Sequence, residues 1–474
     1  MAIHIYNTVS RKKEVFVPRS GNDVGMFVCG QTVYDESHLG HAKTYINFDV
    51  VVRWLRHRSY KVKYLQNITD VDDKIIKRAA EEGVEPISLA RRYEGLFLED
   101  MGHIGVRNNV TEYPRSHDYI PQMRDQVQLL VDRGYAYELD GDVYFDVAKF
   151  KDYTKLSNIK LDELENHRIE PKEGKRNVYD FALWKAAKAA GEPQWEITLN
   201  IKGKEVRLLG RPGWHLEDTA IAHHFFGPQY DIHGGAKELI FPHHTNEIAQ
   251  AEAAYGIKPY VRYWMHCGVL NIKGVKMSKS LRNFIKIRDV LKKYHPEALR
   301  LMVCASHYRS EIEYEEKMIV EASKRLAFLR SSVSSVYNMK EAGEVGEKDE
   351  ISSDALLGKF EEAMDDDFNT PLALASLYEA AAQMKAFADS HEAIPKQLKD
   401  GLVTRFVEMA RTLGLLEDDS YKKGVPEEAR RLILERERLR KEKNFTDSDK
   451  IRLKLKEVYD VTVEDTEYGT VWYR

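Results

Sequence analysis

Three groups of residues in this 474-residue chain have the types and spacing that do chemistry. The first is VCGQTVYDESHLGHAKT at 28–44, with Cys29 at the end of an apolar run and His38 and His41 flanking Gly40. A strand that ends in a glycine-containing loop and enters a helix is a place for phosphate, which sits on the first helical N–H groups. Gly40 lets a base or a phosphate approach the backbone, and His38 and His41 can donate to phosphoryl oxygens. This suits nucleotidyl transfer, in which positioning and charge stabilisation supply most of the catalysis. Alone, H-x-G-H is also what two surface histidines would leave. The second group is KMSKS at 276–280. Lys276 and Lys279 on a loop after Gly274 can neutralise a leaving pyrophosphate late in a reaction, where binding confined to the transition state raises rate. A solvated basic loop reads the same way, so the pairing of the two motifs carries more than either one. The third is FPHHTNEIAQAEAAYG at 241–256. His243 and Glu247 are four apart and share a helix face. With Cys29 they offer sulfur, nitrogen and oxygen donors of the kinds zinc accepts, although a capping histidine and a solvated glutamate would look alike.

The elements that must position these residues follow from pattern. Up to about residue 75, short β-rich runs (IHIYNT, GMFVCG, KVKYLQNITD) alternate with helical patterns such as INFDVVVRWLRHR. That alternation predicts a parallel sheet with crossover helices. From 120 to 208 the chain reads as an insertion, opening on a helix and a hairpin that turns at Asp140–Gly141. The α/β character returns with YDIHGG, KELIFPHH and WMHCGVLNI, and after about 310 the pattern is helical, interrupted by a polar stretch at 340–353. With 43% hydrophobic and 31% charged residues the chain suits soluble domains with sizeable cores. No run of ~18 apolar residues predicts a membrane span, and the first residues lack the apolar stretch of a secretory signal. Three distant cysteines argue against a disulfide framework and for a reducing, cytoplasmic location. The net charge of −4 decides nothing about nucleic acid, but 13 lysines and arginines stand against seven acids between 422 and 456. That stretch, with Phe445, Tyr459 and Trp472 nearby, fits RNA, where phosphate contacts combine with stacking on unpaired bases; a solvated helical face fits it too.

The motifs together resemble the class I aminoacyl-tRNA synthetases, and within them the cysteinyl-tRNA synthetases. HLGH resembles the family's HIGH motif and KMSKS matches its second motif letter for letter. NITDVDDKI, GWHLED, DIHGGAKELIFPHHTNEIAQ, AMDDDFNTPLALA and EDTEYGTVW resemble cysteinyl-specific segments in the same order, over essentially the whole chain. The resemblance implies an α/β Rossmann-like catalytic domain with an insertion, an α-helical bundle and a small mixed α/β C-terminal domain. The expected boundaries are 1–119 and 209–310 for the catalytic halves and 120–208 for the connective insertion. A bundle binding the tRNA stem would span 311–419 and an anticodon-binding domain 420–474. It also implies ATP-dependent ligation of cysteine to tRNA(Cys) through a cysteinyl-adenylate. The substrates would be cysteine, tRNA(Cys) and ATP with Mg²⁺, in a monomer with no membrane partner.

Residue by residue, the resemblance gives His38 and His41 the phosphoryl transition state and Lys276 and Lys279 the pyrophosphate. Gly40, Gly235 and Glu238 fall to the nucleotide, and Gly30, Thr69 and Trp214 to the substrate pocket, with His215 helping to order it. Glu238 stands where the family pattern leads one to expect Asp on the ribose. One Zn²⁺ per chain is expected on Cys29, His243, Glu247 and a fourth residue. That fourth is a cysteine in the pattern G-W-H-x-E-C, but here it is Asp218. The carboxylate either ligates in the thiol's place, making a harder and more exchangeable site, or only hydrogen-bonds, leaving three protein ligands. Zinc has a purpose in this chemistry. Cysteine and serine differ by one atom, and a pocket that relies on shape separates such small groups by only ~100-fold. A metal ionises a thiol far more readily than an alcohol. TDVDDK at 69–74 is read as a helix N-terminus rather than a Mg²⁺ cluster. Three rival functions share parts of this pattern. A ligase joining cysteine to an amino sugar would lack the C-terminal third, a non-catalytic RNA-binding paralogue would not need both motifs, and a small nucleotidyltransferase would be far shorter.

Overall fold

The computed structural model describes residues 2–159, 173–188, 191–272, 274–276, 284–341, 353–466 and 469–473. The chain divides into two compact units, one formed by residues 2–289 and 309–313, the other by 290–308 and 314–474.

At the centre of the first unit is a four-stranded parallel sheet in the order Val261–Cys267, Tyr230–Ala236, Asp23–Thr32, Lys61–Thr69. These strands read as almost unbroken apolar runs because both sheet faces are covered; Met26, Phe27, Val28, Tyr64, Leu65, Ile232 and Met265 have no exposed surface. Helix Leu39–His57 makes the first crossover, from Asp23–Thr32 to its parallel neighbour Lys61–Thr69. The next strand to join, Tyr230–Ala236, lies on the other side of Asp23–Thr32. The chain therefore reverses direction across the sheet between these two strands, and ligands bind in such folds outside the carboxyl ends at that reversal. This is the Rossmann-like arrangement that the strand–helix alternation predicts.

The stretch expected to be an insertion opens on helix Ile120–Asp132 and builds a five-stranded antiparallel sheet. Strands Ala136–Leu139 and Asp142–Phe145 form the expected hairpin. Its two turn residues, Asp140 and Gly141, have φ of +50° and +83°, the left-handed pair a two-residue turn requires. The last strand of this sheet, Lys204–Pro212, runs four residues past the expected boundary at 208. Its backbone carries the chain into Trp214 and helix Leu216–Phe226.

The second unit is mostly helical, with Pro296–Cys304, Glu316–Tyr337, Ser353–Asp365, Thr370–Ser390 and Lys396–Thr412 followed by Glu427–Lys441 and Phe445–Tyr459. Most of the polar stretch expected at 340–353 lies outside the described residues. In AMDDDFNTP, Asp367 is fully buried and accepts from Tyr308 Oη at 2.8 Å, and Asn369 caps the following helix. Asp367 thus has a structural role, while Asp366 beside it is exposed. The chain ends in a hairpin, Thr462–Thr466 with Gly469–Tyr473, packed on the last two helices through Ile433, Leu455, Val463 and Trp472. Trp472 is consequently core, contrary to the expectation of a base-stacking surface, because its position on the hairpin turns it onto the helices. Phe445 is 52% exposed. Among the described residues no helix is long and apolar enough to cross a membrane.

Candidate metal centre and active site

Cys29 is aimed by a defect in the sheet. Val28 pairs with Gln66 and Gln31 with Ile68, so one extra residue is squeezed into Asp23–Thr32. Such a bulge redirects side chains at a strand end. Gly30 is the residue that permits it, since a Cβ there would lie 1.5 Å from the carbonyl oxygen of Asn67. The side chain of Asn67 closes the gap, its Oδ1 accepting the Gly30 N–H at 2.6 Å.

Around Cys29 converge residues from three other stretches of the chain. The thiol donates to Asp218 Oδ2 at 3.3 Å. His243 Nε2 lies 2.8 Å from the same Asp218 oxygen and 3.0 Å from Glu247 Oε1. His233 Nε2 and His244 Nε2 approach Cys29 Sγ to 3.3 and 3.1 Å. All of these side chains are buried. Two overlapping donor sets result, Cys29/Asp218/His243/Glu247 and Cys29/His233/His244/Glu247, each with its ligand atoms within 4.8 Å of one another. The first is the set expected from the sequence, Asp218 included. His233, His244 and His266 were not singled out by sequence reasoning. The doubled histidine in FPHH and the histidine in DIHGG were the available signals.

The electrostatics are those of closely spaced, buried donor groups. Burial raises the Cys29 thiol well above its usual range, and Asp218 and Glu247 push it further. Burial lifts Glu247 to about 7 against the pull of His243. His243 is lowered by burial but held up to about 10 by Glu247 and Asp218. His233 and His244 are driven down, first by burial and then by neighbouring histidines. Glu247 is fully buried with no well-directed hydrogen bond on either oxygen, His243 Nε2 at 3.0 Å from Oε1 being the nearest imidazole nitrogen. A buried carboxylate so weakly hydrogen-bonded is costly, and S, N and carboxylate O donors at these separations fit zinc. The two sets differ in access. His233 and His244 are fully buried and packed against Trp264. His243 instead stacks on Trp214, with ring centroids 4.2 Å apart, and Trp214 is 37% exposed.

Outside this centre, Thr69 is buried and donates to Glu217 Oε1 at 2.5 Å; Ser116 donates to the other Glu217 oxygen. Burial and the neighbouring Asp218 push the Glu217 carboxyl well up. His215 Nδ1 lies 2.8 Å from His243 Nδ1. His38 and His41 cap helix Leu39–His57. His38 Nδ1 accepts the Gly40 N–H, His41 Nδ1 accepts the His38 N–H, and the rings stack at 3.8 Å. A ring whose Nδ1 accepts a backbone N–H keeps its proton on Nε2. The segment after KMSKS is tied to this helix start, Leu39 N–H to the Ile285 carbonyl at 3.0 Å and Ile287 N–H to the Ser37 carbonyl at 3.1 Å. Lys276 is in a two-residue strand paired with Leu270–Ile272, while Lys279 lies outside the described residues. Gly235 ends its strand where a Cβ would press on His244 and Leu239, at 2.9 Å from each. Glu238 is exposed in the short turn that follows. TDVDDK does begin a helix, with Asp72 accepting from Lys74 N–H at 2.8 Å.

Residues 15–324 match the family of class I (C) tRNA synthetase catalytic domains, and residues 359–417 match the DALR domain. Over 100% of its length the chain is 44% identical to the cysteine–tRNA ligase of Thermococcus gammatolerans and 42% identical to that of Trichlorobacter lovleyi, covering 99% of each. In fold it is similar to Mycobacterium tuberculosis methionyl-tRNA synthetase in complex with methionyl-adenylate. That likeness has a TM-score of 0.56 and 17% identity, covering 83% of this chain and 90% of the other. With the catalytic-domain family matched over residues 15–324 and relatives matched end to end, the chain belongs to the cysteinyl-tRNA synthetase family of class I synthetases.

Proposed function

We propose that this chain activates cysteine with ATP to cysteinyl-adenylate and pyrophosphate, and then transfers the cysteinyl group to tRNA(Cys). The observation that carries the amino-acid choice is Glu247, a fully buried carboxylate with no well-directed hydrogen bond, grouped with His243, Asp218 and Cys29. We assign Zn²⁺ to Cys29, Asp218, His243 and Glu247, the set beside half-open Trp214, because a metal that receives substrate needs an approach. When bound there, zinc supplies a Lewis acid that stabilises a thiolate over an alcohol.

The chain's own groups do the rest. In activation the substrate carboxylate is already an anion, so its oxygen attacks the α-phosphorus without a general base as the bond to pyrophosphate breaks. His38 and His41 keep their protons on Nε2, where they can donate to phosphoryl oxygens, and Gly40 leaves room at the helix N-terminus. Lys276 and Lys279 act on the departing pyrophosphate. Gly235 and Glu238 serve the nucleotide, Glu238 at the ribose, and Gly30, Thr69 and Trp214 shape the amino-acid pocket. The helical unit and the basic stretch at 422–456 contact the tRNA. ATP–pyrophosphate exchange with cysteine and with serine side by side tests the reading. Exchange with cysteine alone is expected. Equal exchange with both would remove metal-based selection, and none with either would remove the enzyme.

A further inference from the structure

Asp218 stands where the resemblance called for a thiol, and a carboxylate brings a problem that a thiolate does not. It has two oxygens, each of which can take the ion, and it can rotate between binding through one and binding through both. The surroundings of Asp218 remove that freedom. Asn67 Nδ2 donates to Asp218 Oδ1 at 2.6 Å. Oδ2 is thereby left to face Cys29 Sγ at 3.3 Å and His243 Nε2 at 2.8 Å. The orientation of the Asn67 amide is itself fixed, because its Oδ1 must accept the Gly30 N–H at 2.6 Å, so the NH₂ end is the one that meets Asp218. Asn67 is 1% exposed and Asp218 equally buried, so neither group has water as an alternative partner. One amide thus ties the bulge that aims Cys29 to the carboxylate opposite it.

We infer that Asn67 is a positioning residue that holds Asp218 as a single-oxygen donor to the metal, and so makes the Cys-to-Asp exchange workable in this chain. The inference rests on the metal assignment of the proposed function. Partners of this kind fix the geometry of ligating side chains, and their loss typically costs ~10–100-fold in metal affinity.

The test is a double-mutant cycle on the full chain between Asn67→Leu and Asp218→Cys, read by Zn²⁺ affinity against a chromophoric chelator. Asn67→Leu also removes the Gly30 contact, but it does so in both backgrounds, and the cycle cancels that part. In the native background Asn67→Leu is expected to weaken Zn²⁺ by ~10–100-fold. With Cys at 218 there is no second oxygen to restrain, and the loss is expected to shrink to a few-fold. The Co²⁺-loaded protein gives a second signature. Freed from Asn67, Asp218 can bind through both oxygens, so the d–d absorption of Asn67→Leu should weaken and shift as the coordination number rises. Asn67→Ser, which removes the amide without adding apolar bulk, supplies the same readouts should the leucine variant fail to fold. An equal loss of affinity in both backgrounds, or unchanged affinity and an unchanged cobalt spectrum in the native one, would overturn the inference. Should the parent chain bind no Zn²⁺ at all, the metal assignment itself fails and takes this inference with it.

Discussion

Two clusters of charge in this protein are built in opposite ways. In the C-terminal hairpin and its helices, Arg436 is 1% exposed and both of its terminal nitrogens reach Asp465, at 2.7 Å each. Arg440 adds a third contact at 2.8 Å and Thr470 Oγ1 a fourth at 3.2 Å. The carboxylate is met by two guanidiniums and a hydroxyl, and against the upward push of burial Arg436 and Arg440 hold its pKa below the usual carboxylate range. Around Cys29, among the described residues, no arginine or lysine forms an ion pair with Asp218 or Glu247. Asp218 and Glu247 share the His243 imidazole, and neither Glu247 oxygen has a well-directed hydrogen bond. A structural cluster neutralises its charge with its own side chains, whereas a binding cluster keeps negative charge and lone pairs for a cation that comes from outside.

The sharpest way to break this comparison is Glu247→Gln. If the carboxylate exists for an ion, the variant loses Zn²⁺ on dialysis, and cysteine-dependent pyrophosphate exchange falls by more than the ~10–100-fold expected for an outer contact. Retention of full zinc by elemental analysis would make Glu247 a packing residue. At the other cluster, Asp465→Ala strands the buried Arg436. Urea unfolding should show a loss of about 2–3 kcal/mol, short of the ~3–5 of a wholly buried pair because Asp465 is a third exposed. Zinc content should not change.

Much of this contrast could be read from the sequence, and the part that could not has a physical reason. Cys29, His243 and Glu247 announce themselves by type and spacing, and Asp218 by its place in GWHLED. The four-stranded parallel sheet follows from apolar runs alternating with helices, and the Asp140–Gly141 hairpin from its turn chemistry. Asn67 could not be found in this way. Its role depends on a one-residue bulge in the neighbouring strand, and pairing register is not written locally. The fate of Trp472 was equally hidden, since an aromatic residue near lysines looks the same whether it stacks on a base or packs on Ile433 and Leu455. His244 is adjacent to His243 in sequence, but only the fold shows that it too approaches the sulfur, and that Trp264 closes off that side.

A smaller effect sharpens the comparison from within the site. Asp218→Cys should slow zinc loss to a chelator several-fold, because thiolate is the softer and tighter donor for zinc. Faster loss would mean that Asp218 is the better ligand in these surroundings. The smallest expected effect concerns His117, raised by its hydrogen bond to Asp70 at 2.5 Å despite partial burial. A histidine with a raised folded pKa stabilises most below its unfolded value of ~6.5, and that contribution fades as pH rises through the folded value. The stability difference between the parent chain and His117→Asn should therefore narrow as pH rises above about 6.5. A difference that stays flat would show that His117 contributes through packing alone.

The central claim is that this chain selects its amino acid by binding sulfur at a metal. The most direct measurement loads the protein with Co²⁺ and titrates it with cysteine and, separately, with serine while recording the near-ultraviolet and visible spectrum. A new thiolate-to-cobalt charge-transfer band that saturates with cysteine and is absent with serine is the predicted result. Cysteine that binds by calorimetry and leaves the cobalt spectrum untouched would contradict the claim.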